Sequence, residues 1–362
     1  MRAAFHRLAP PIFLGLAPVM AIIWMFVVGH GGGSLASDFH GEIYPEAKQI
    51  LAGTNPFPSP TADLSDGSNA VWPPLVALVV APLTLLPPGA ADFAAAIASL
   101  LCFAAALWIV GVRDWRVYGA SAMWPPVLGE IRTAHFSLVM CLFIAVAWRL
   151  RDRAFGPGTA VGFAVALKFF LWPLIPWLAA LRRYREAALA AGLTAASFLL
   201  VLPFTSISDY FRVLRNLGNT FDQDSYSPFG LLVQAGAPDH VSKAIALMLG
   251  FGVLALAWHW RSLAMFVGAA LLLSPIVWLD YYAVLAIPLA IVRPTFRAVW
   301  LLPLVTVGML TAGYGIGDTR NSIRVLAVYG ALFVYTVWAE RRAETGGGAP
   351  ESLERVKTTV EY

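Results

Sequence analysis

The sequence predicts an all-α polytopic membrane protein of about twelve spans, with a range of about ten to thirteen. Three observations lead there. Hydrophobic residues make up 59% of the chain and charged residues 13%, where ordinary soluble domains carry roughly a quarter charged residues. Mean hydropathy is +0.70. Apolar runs also recur along the whole chain, separated by short tracts that hold most of the cations. The net charge of +4 is small, and no Lys/Arg stripe interleaves with aromatics, which excludes a nucleic-acid surface. Cys102 and Cys141 fall in separate apolar runs and read as small hydrophobes rather than as a disulfide.

Taken in order, the first element is the apolar run Leu8 to Val28, preceded by Arg2 and Arg7. At roughly 20 residues it exceeds the 7–15 of a signal-peptide core, so it reads as a retained span. Apolar segments follow at about 72–88, 90–112, 119–149, 157–168, 170–181, 187–204, 241–258, 262–279, 281–292, 296–313 and 321–338. Several fall short of the ~20 residues that cross a hydrocarbon core. Short helices at membrane depth persist where they line a cavity or pack against protein, so an internal chamber is expected. The tracts Arg2/Arg7, Arg149 to Arg153, Arg182 to Arg185, Arg293/Arg297 and Arg341-Arg342 are assigned to the cytoplasm by the positive-inside rule. Both termini are then cytoplasmic, and segments 30–71, 205–240 and 314–320 and the Trp278 to Tyr282 turn lie outside a cell membrane. Between 72 and 149 the alternation closes only if 119–149 is one long span, interrupted near Pro125-Pro126 and Gly129-Glu130, with Arg113 and Arg116 outside. One transmembrane domain covers 1–342, and the polar, Gly-rich stretch 343–362 reads as a disordered cytoplasmic tail. No internal repeat of the transporter kind is found.

Asp38 is the leading candidate for chemistry. It opens the outer segment 30–71, after the Gly31-Gly32-Gly33 run and before Glu42 to Leu51, which has the pattern of a short surface helix ended by Gly53. A carboxylate of ordinary pKa is ionised at neutral pH and accepts a proton from a sugar hydroxyl held within hydrogen-bond reach; the competing role is a solvated or capping aspartate. Lys168 interrupts Val161 to Pro173. Such a lysine costs roughly 2.5–3.5 kcal/mol at a helix centre and usually faces a cavity. The out-and-back path 157–181 puts it at the outward tip, either meeting a lipid phosphate or snorkelling to the interface. Glu130 and Arg132 either pair across a helix break or form a polar wall toward sugar and phosphate. Asp280 with Tyr281 and Tyr282 follows Ser274-Pro275-Ile276-Val277-Trp278 and competes with an ordinary aromatic belt. Asp222, Asp224, Tyr226, His40 and His135 are weaker candidates. No His/Cys/Asp/Glu spacing fits a transition metal and no phosphate-binding glycine loop opens a helix; a divalent metal is otherwise left open.

The order of several short motifs resembles glycosyltransferase family 87. They are Asp38, Tyr44, Ala47, Leu51, Gly53, Asn55, Pro56 and Phe57; then Pro73-Pro74, Pro82-Leu83 and Leu86-Pro87; then Gly129-Glu130-Ile131-Arg132; then Ala166-Leu167-Lys168, Trp172-Pro173, Arg182-Arg183-Tyr184 and Ser274 to Trp278. The resemblance implies a GT-C-like helical bundle with two large extracytoplasmic loops. It implies a hexosyltransferase that moves a sugar, mannose being the expected one, from a polyprenyl-phosphate donor to an envelope glycolipid or glycan. Asp38 would be the base of an inverting single displacement, with no cofactor. Lys168 or Arg132 would face the leaving phosphate, and Tyr44, Asn55, Glu130, Asp280, Tyr281 and Tyr282 the substrates. Two departures stand out: Asp280 where many relatives carry histidine, and Glu130/Arg132 where they carry Gln/Asn. The rival readings are a lipid or solute transporter and a family member that binds the lipid-linked sugar without turnover.

Overall fold

All regular structure among the described residues is helical, and its many short pieces follow from the prolines and from the length of each apolar run. The structure is a computed structural model that describes residues 10–31, 35–64, 72–221, 223–310 and 317–345. Arg2, Arg7, Gly32, Gly33, Asp222, residues 314–316 and 346–362 of the expected tail lie outside the described residues.

Helix α1 (Ile12–Gly31) leads to a long connecting segment, where a π-helical turn (Phe39–Ile43) runs into α2 (Tyr44–Leu51). Helix α3 (Pro74–Val80) and a 3-10 stretch (Ala81–Leu85) pack on α2. Then come α4 (Pro88–Ile109), α5 (Trp115–Ala122), α6 (Pro125–Thr133), α7 (Ser137–Arg149), α8 (Gly156–Leu167), α9 (Leu174–Ala180) and α10 (Tyr184–Phe198). A second long connecting segment holds α11 (Ile207–Thr220) and α12 (Pro228–Gln234). The chain closes with α13 (Asp239–Trp260), α14 (Leu263–Leu273), a 3-10 helix (Leu279–Leu285) that continues into α15 (Ala286–Val292), a second 3-10 helix (Ala298–Leu310), and α16 (Thr319–Thr345). Residues 343–345 thus continue the last helix.

Among the described residues, five helices are long and apolar enough to cross a bilayer: Ile12–Gly31, Pro88–Ile109, Tyr184–Val201, Asp239–Trp260 and Thr319–Thr345. The number is six if α6 and α7 count as one bent span. Their outer faces carry large exposed apolar side chains, among them Phe13, Trp24, Met248 and Val334. Exposure on that scale belongs to a surface solvated by lipid.

One sequence expectation is corrected. Pro125 and Pro126 open α6, where a missing N–H costs nothing, and Gly129-Glu130 run inside that helix. The break comes at Ala134 and Phe136, whose φ values of 51° and 67° are left-handed, and α7 leaves at 119° to α6. Residues 119–149 are therefore not one straight span. Arg113 and Arg116 accordingly do not lie opposite the other arginine tracts. Asp114 Oδ2 accepts from the Phe296 backbone N–H at 2.9 Å, and the Arg116 guanidinium lies over the Phe296 ring, so both arginines share an end with Arg293 and Arg297. At that end too Arg183 donates to the Arg151 carbonyl and Arg341 stacks on Trp260.

At the opposite end the segments 35–64 and 205–221 pack on each other. Phe57, Leu64, Val201, Tyr210 and Val213 form a small separate core. Tyr210 donates to the Trp72 carbonyl at 3.1 Å, and Asn216 to the Pro60 carbonyl at 2.7 Å. Helix α5 approaches α1 backbone to backbone: a Cβ on Gly119 would lie 1.7 Å from the Leu14 carbonyl oxygen. Gly119→Ala must push the helices apart, and the overpacking is expected to cost about 1–3 kcal/mol. A thermal melt of the purified variant checks this, and an unchanged Tm contradicts the contact.

Candidate active site

Local backbone conformation presents the central residues. Ala36 (φ 50°) is left-handed and ties to α6 through its N–H on the Ile131 carbonyl at 3.2 Å. This sets Asp38 at the start of the π-helical turn, a conformation enriched at functional sites. His135 stands between left-handed Ala134 and Phe136. Strain of this kind costs of order 1–3 kcal/mol per residue and persists where surrounding structure enforces it. Lys168 follows the last residue of α8 in an extended conformation (φ −150°, ψ 96°). Asp280 lies in the 3-10 turn before α15.

These four residues meet. Asp38 Oδ2 is 2.8 Å from His135 Nε2, and His135 Nδ1 is 3.4 Å from Asp280 Oδ2, an ion-pair separation without an aligned hydrogen bond. An imidazole with carboxylates at both nitrogens is best satisfied as the doubly protonated cation. Lys168 Nζ donates to the His135 carbonyl at 2.8 Å and to Ser137 Oγ at 3.0 Å, and lies 3.6 Å from Asp280 Oδ2. Ser137 Oγ donates to Asp280 Oδ2 at 2.5 Å. The Lys168 ammonium also covers the Tyr281 ring at 3.7 Å. Lysine and aspartate are both buried, 4% and 1% exposed, so snorkelling is ruled out. Asp38 keeps 26% of its side chain exposed and forms the accessible edge of the cluster.

Burial pushes the Asp38 carboxyl up, but the adjoining His135 charge and the hydrogen bonds from His135 and Ser37 outweigh it and hold the group below its ordinary 3.8. Glu42, one helical turn on, goes the other way: burial, with Asp38 adding repulsion, raises it to about 7. Burial likewise raises Glu46 well above its usual range. Glu42 Oε2 accepts from Trp72 Nε1 at 3.0 Å, and the Trp72 ring stands edge-on to His135 with centroids 4.9 Å apart. Asp38, Glu42 and His135 offer ligand atoms within 4.8 Å of one another, a mixed nitrogen and oxygen set that a divalent cation accepts only if the Asp38–His135 bond opens.

The remaining sequence candidates divide. Tyr281 stacks on Phe170 and belongs to the cluster. Glu130 is fully buried, and neither of its oxygens has an aligned hydrogen bond. It does not pair with Arg132; it lies among Asp280, Lys168 and His135, whose charges act on it. Arg132 is half-buried at the end of α6. Tyr44 donates to the Leu86 carbonyl, Asn55 accepts from the Phe57 N–H in a local turn, and Tyr282 donates to the Tyr226 carbonyl and stacks on Tyr329; none of the three joins the cluster. Sequence reasoning underweighted His135, Trp72, Glu42 and Ser137. The one available signal was the spacing of Glu42 four residues from Asp38, which puts both on one helical face.

A family model for glycosyltransferase family 87 matches residues 71–279, more than half of the 362-residue chain. No curated protein and no solved structure matches it. The matched region contains Trp72, Glu130, Arg132, His135, Ser137 and Lys168, while Asp38 and Asp280 flank it.

Proposed function

The chain belongs to glycosyltransferase family 87, and from that premise we propose that it moves a hexose, mannose being the expected one, from a polyprenyl-phosphate donor to an envelope glycolipid or glycan, with Asp38 as general base. The observation that carries this reading is the Asp38–His135 pair: an ionised, accessible carboxylate anchored by one oxygen at 2.8 Å, with the other oriented by the Ser37 hydroxyl at 2.8 Å. In the proposed step the acceptor oxygen attacks the anomeric carbon, the bond from that carbon to the phosphate oxygen breaks, and the acceptor proton goes to Asp38. A single displacement inverts the anomeric centre. Positioning and charge supply the catalysis, since the phosphate leaves without a proton.

Lys168, with its ammonium directed at three oxygens, holds Asp280 and the His135 carbonyl in place; Arg132 is then the candidate for the leaving phosphate. The edge of Trp72 and the Glu42 carboxylate would border the acceptor. A path of about twelve crossings would keep segment 72–88 at the Asp38 end, where Tyr44 reaches Leu86, and would take residues 115–149 out and back around the 119° bend between α6 and α7. The Asp38 end would face the cell exterior and both termini the cytoplasm. Purified protein given radiolabelled polyprenyl-phosphate hexose and a membrane glycolipid extract is expected to put label on the acceptor. Uptake of the labelled lipid or sugar into proteoliposomes without a new product would contradict this function and favour a transporter.

His135 acts through Asp38, so His135→Gln gives a prediction on pH. Wild-type Asp38 stays ionised to a pH below the usual carboxylate range. Without the imidazole, burial and the Asp280 charge push it upward. The acid limb of the rate profile is expected to move to higher pH, with a smaller loss at alkaline pH. A uniform loss at every pH would assign His135 a purely structural part.

A further inference from the structure

The arginine end of the bundle holds a cavity that takes no part in the reaction above. It measures about 460 Å³ and is lined by Val292, Arg293, Pro294, Thr295, Arg297 and Tyr335, within the size range of small-ligand sites. Every polar side chain on its wall can donate a hydrogen bond, and no carboxylate lines it. Arg293 is fixed by its Nε on Tyr335 Oη at 3.0 Å and its Nη1 on the Val292 carbonyl at 2.9 Å. Its Nη2 points to no partner among the described residues, and neither do the Arg297 guanidinium and the Thr295 hydroxyl. Because Tyr335 Oη accepts from Arg293, its own hydrogen remains available to an acceptor. Asp114, which accepts from the Phe296 N–H, is also occupied by Arg116 at 2.8 and 2.9 Å.

A wall of donors alone is complementary to an anion with several acceptor oxygens. The cavity also adjoins exposed apolar surface: the Trp338 ring lies 5.7 Å from that of Tyr335, tilted by 44°, and is 48% exposed, and Val334 is 64% exposed. We propose that this cavity binds the phosphate of an anionic phospholipid headgroup, whose acyl chains run along Val334 and Trp338. A basic pocket between helices at the cytoplasmic leaflet, where anionic lipids concentrate, has the chemistry for this. A second cavity, of about 300 Å³ and lined by Arg151, Asp152, Leu181 and Arg183, lacks it. There Asp152 supplies a carboxylate 3.8 Å from Arg151, and Arg183 is spent on backbone carbonyls.

The test is native mass spectrometry of the full-length protein in detergent, with equal phosphatidylglycerol and phosphatidylcholine, and separately with inorganic phosphate. Wild type is expected to retain phosphatidylglycerol in preference to phosphatidylcholine. Arg297→Gln is expected to lose about fivefold in that retention, the effect of one arginine near an anionic surface. Arg185→Gln, which removes the same charge from the same end outside the cavity, is expected to leave it unchanged, and a thermal melt confirms that each variant is folded. Equal retention of the two lipids, or equal loss in both variants, overturns the site. Inorganic phosphate binding that depends on Arg297, without a lipid preference, overturns the lipid and leaves a soluble anion. Glycosyl transfer is read separately, so the outcome stands whether or not the proposed reaction does.

Discussion

Asp38→Asn is expected to lower glycosyl transfer by about 10²–10⁴-fold, the contribution of a positioned base, while binding of the lipid-linked donor changes little. Asparagine keeps the shape and still accepts at one oxygen, so Ser37 and α2 hold their places; what disappears is the site for the acceptor's proton. The folded state should survive, with a small loss that depends on pH in a fixed sense. Asp38 is held below its ordinary pKa in the folded chain, so its pairing stabilises the fold above the unfolded value of about 4 and is lost as pH falls through the folded value. A stability difference between wild type and Asp38→Asn that shrinks on acidification fits this sign. One that grows on acidification contradicts the pairing with His135.

The second large effect is on stability. Asp280→Asn removes the carboxylate facing Lys168 Nζ at 3.6 Å and His135 Nδ1 at 3.4 Å, leaving a fully buried ammonium without its counter-charge. Breaking a buried pair from one side costs about 3–5 kcal/mol, whereas replacing both partners with apolar groups is often neutral. A steep fall in Tm is therefore expected for Asp280→Asn, largely restored in the double variant Lys168→Met with Asp280→Leu. That double variant should remain inactive, because His135 loses the carbonyl and carboxylate contacts that orient it. Melting curves of wild type and the two variants decide the point, and a double variant no more stable than Asp280→Asn would show that the two charges do not act as a pair.

Charge in apolar sequence is what made part of this site readable in advance. Asp38, Lys168 and Asp280 each stand out because an ionisable group beside or inside an apolar run is expensive, and the structure brings all three to one place. His135 did not stand out, because its placement depends on two left-handed residues that are not glycine, Ala134 and Phe136. Nothing in their side chains marks them for that conformation, and tertiary contacts impose it. The same turn hid the reversal of the chain within 119–149 and so put Arg113 and Arg116 at the wrong end. Tyr44 and Asn55 come from the motifs of the resemblance and Tyr282 from the turn at Asp280; in the structure their polar atoms meet the Leu86 carbonyl, the Phe57 N–H and the Tyr226 carbonyl. Glu46, buried one turn beyond Glu42, carried no signal in the sequence, since its burial comes from the packing of α2 in the fold.

Whether the carboxylate at position 38 serves as base, rather than as a nucleophile that carries the sugar, is read most directly from the anomeric configuration of the transferred residue. NMR of the product formed from a β-linked polyprenyl-phosphate hexose should show an α-glycoside. A β-glycoside would mean two displacements, and would contradict the single-step transfer in which Asp38 takes only a proton.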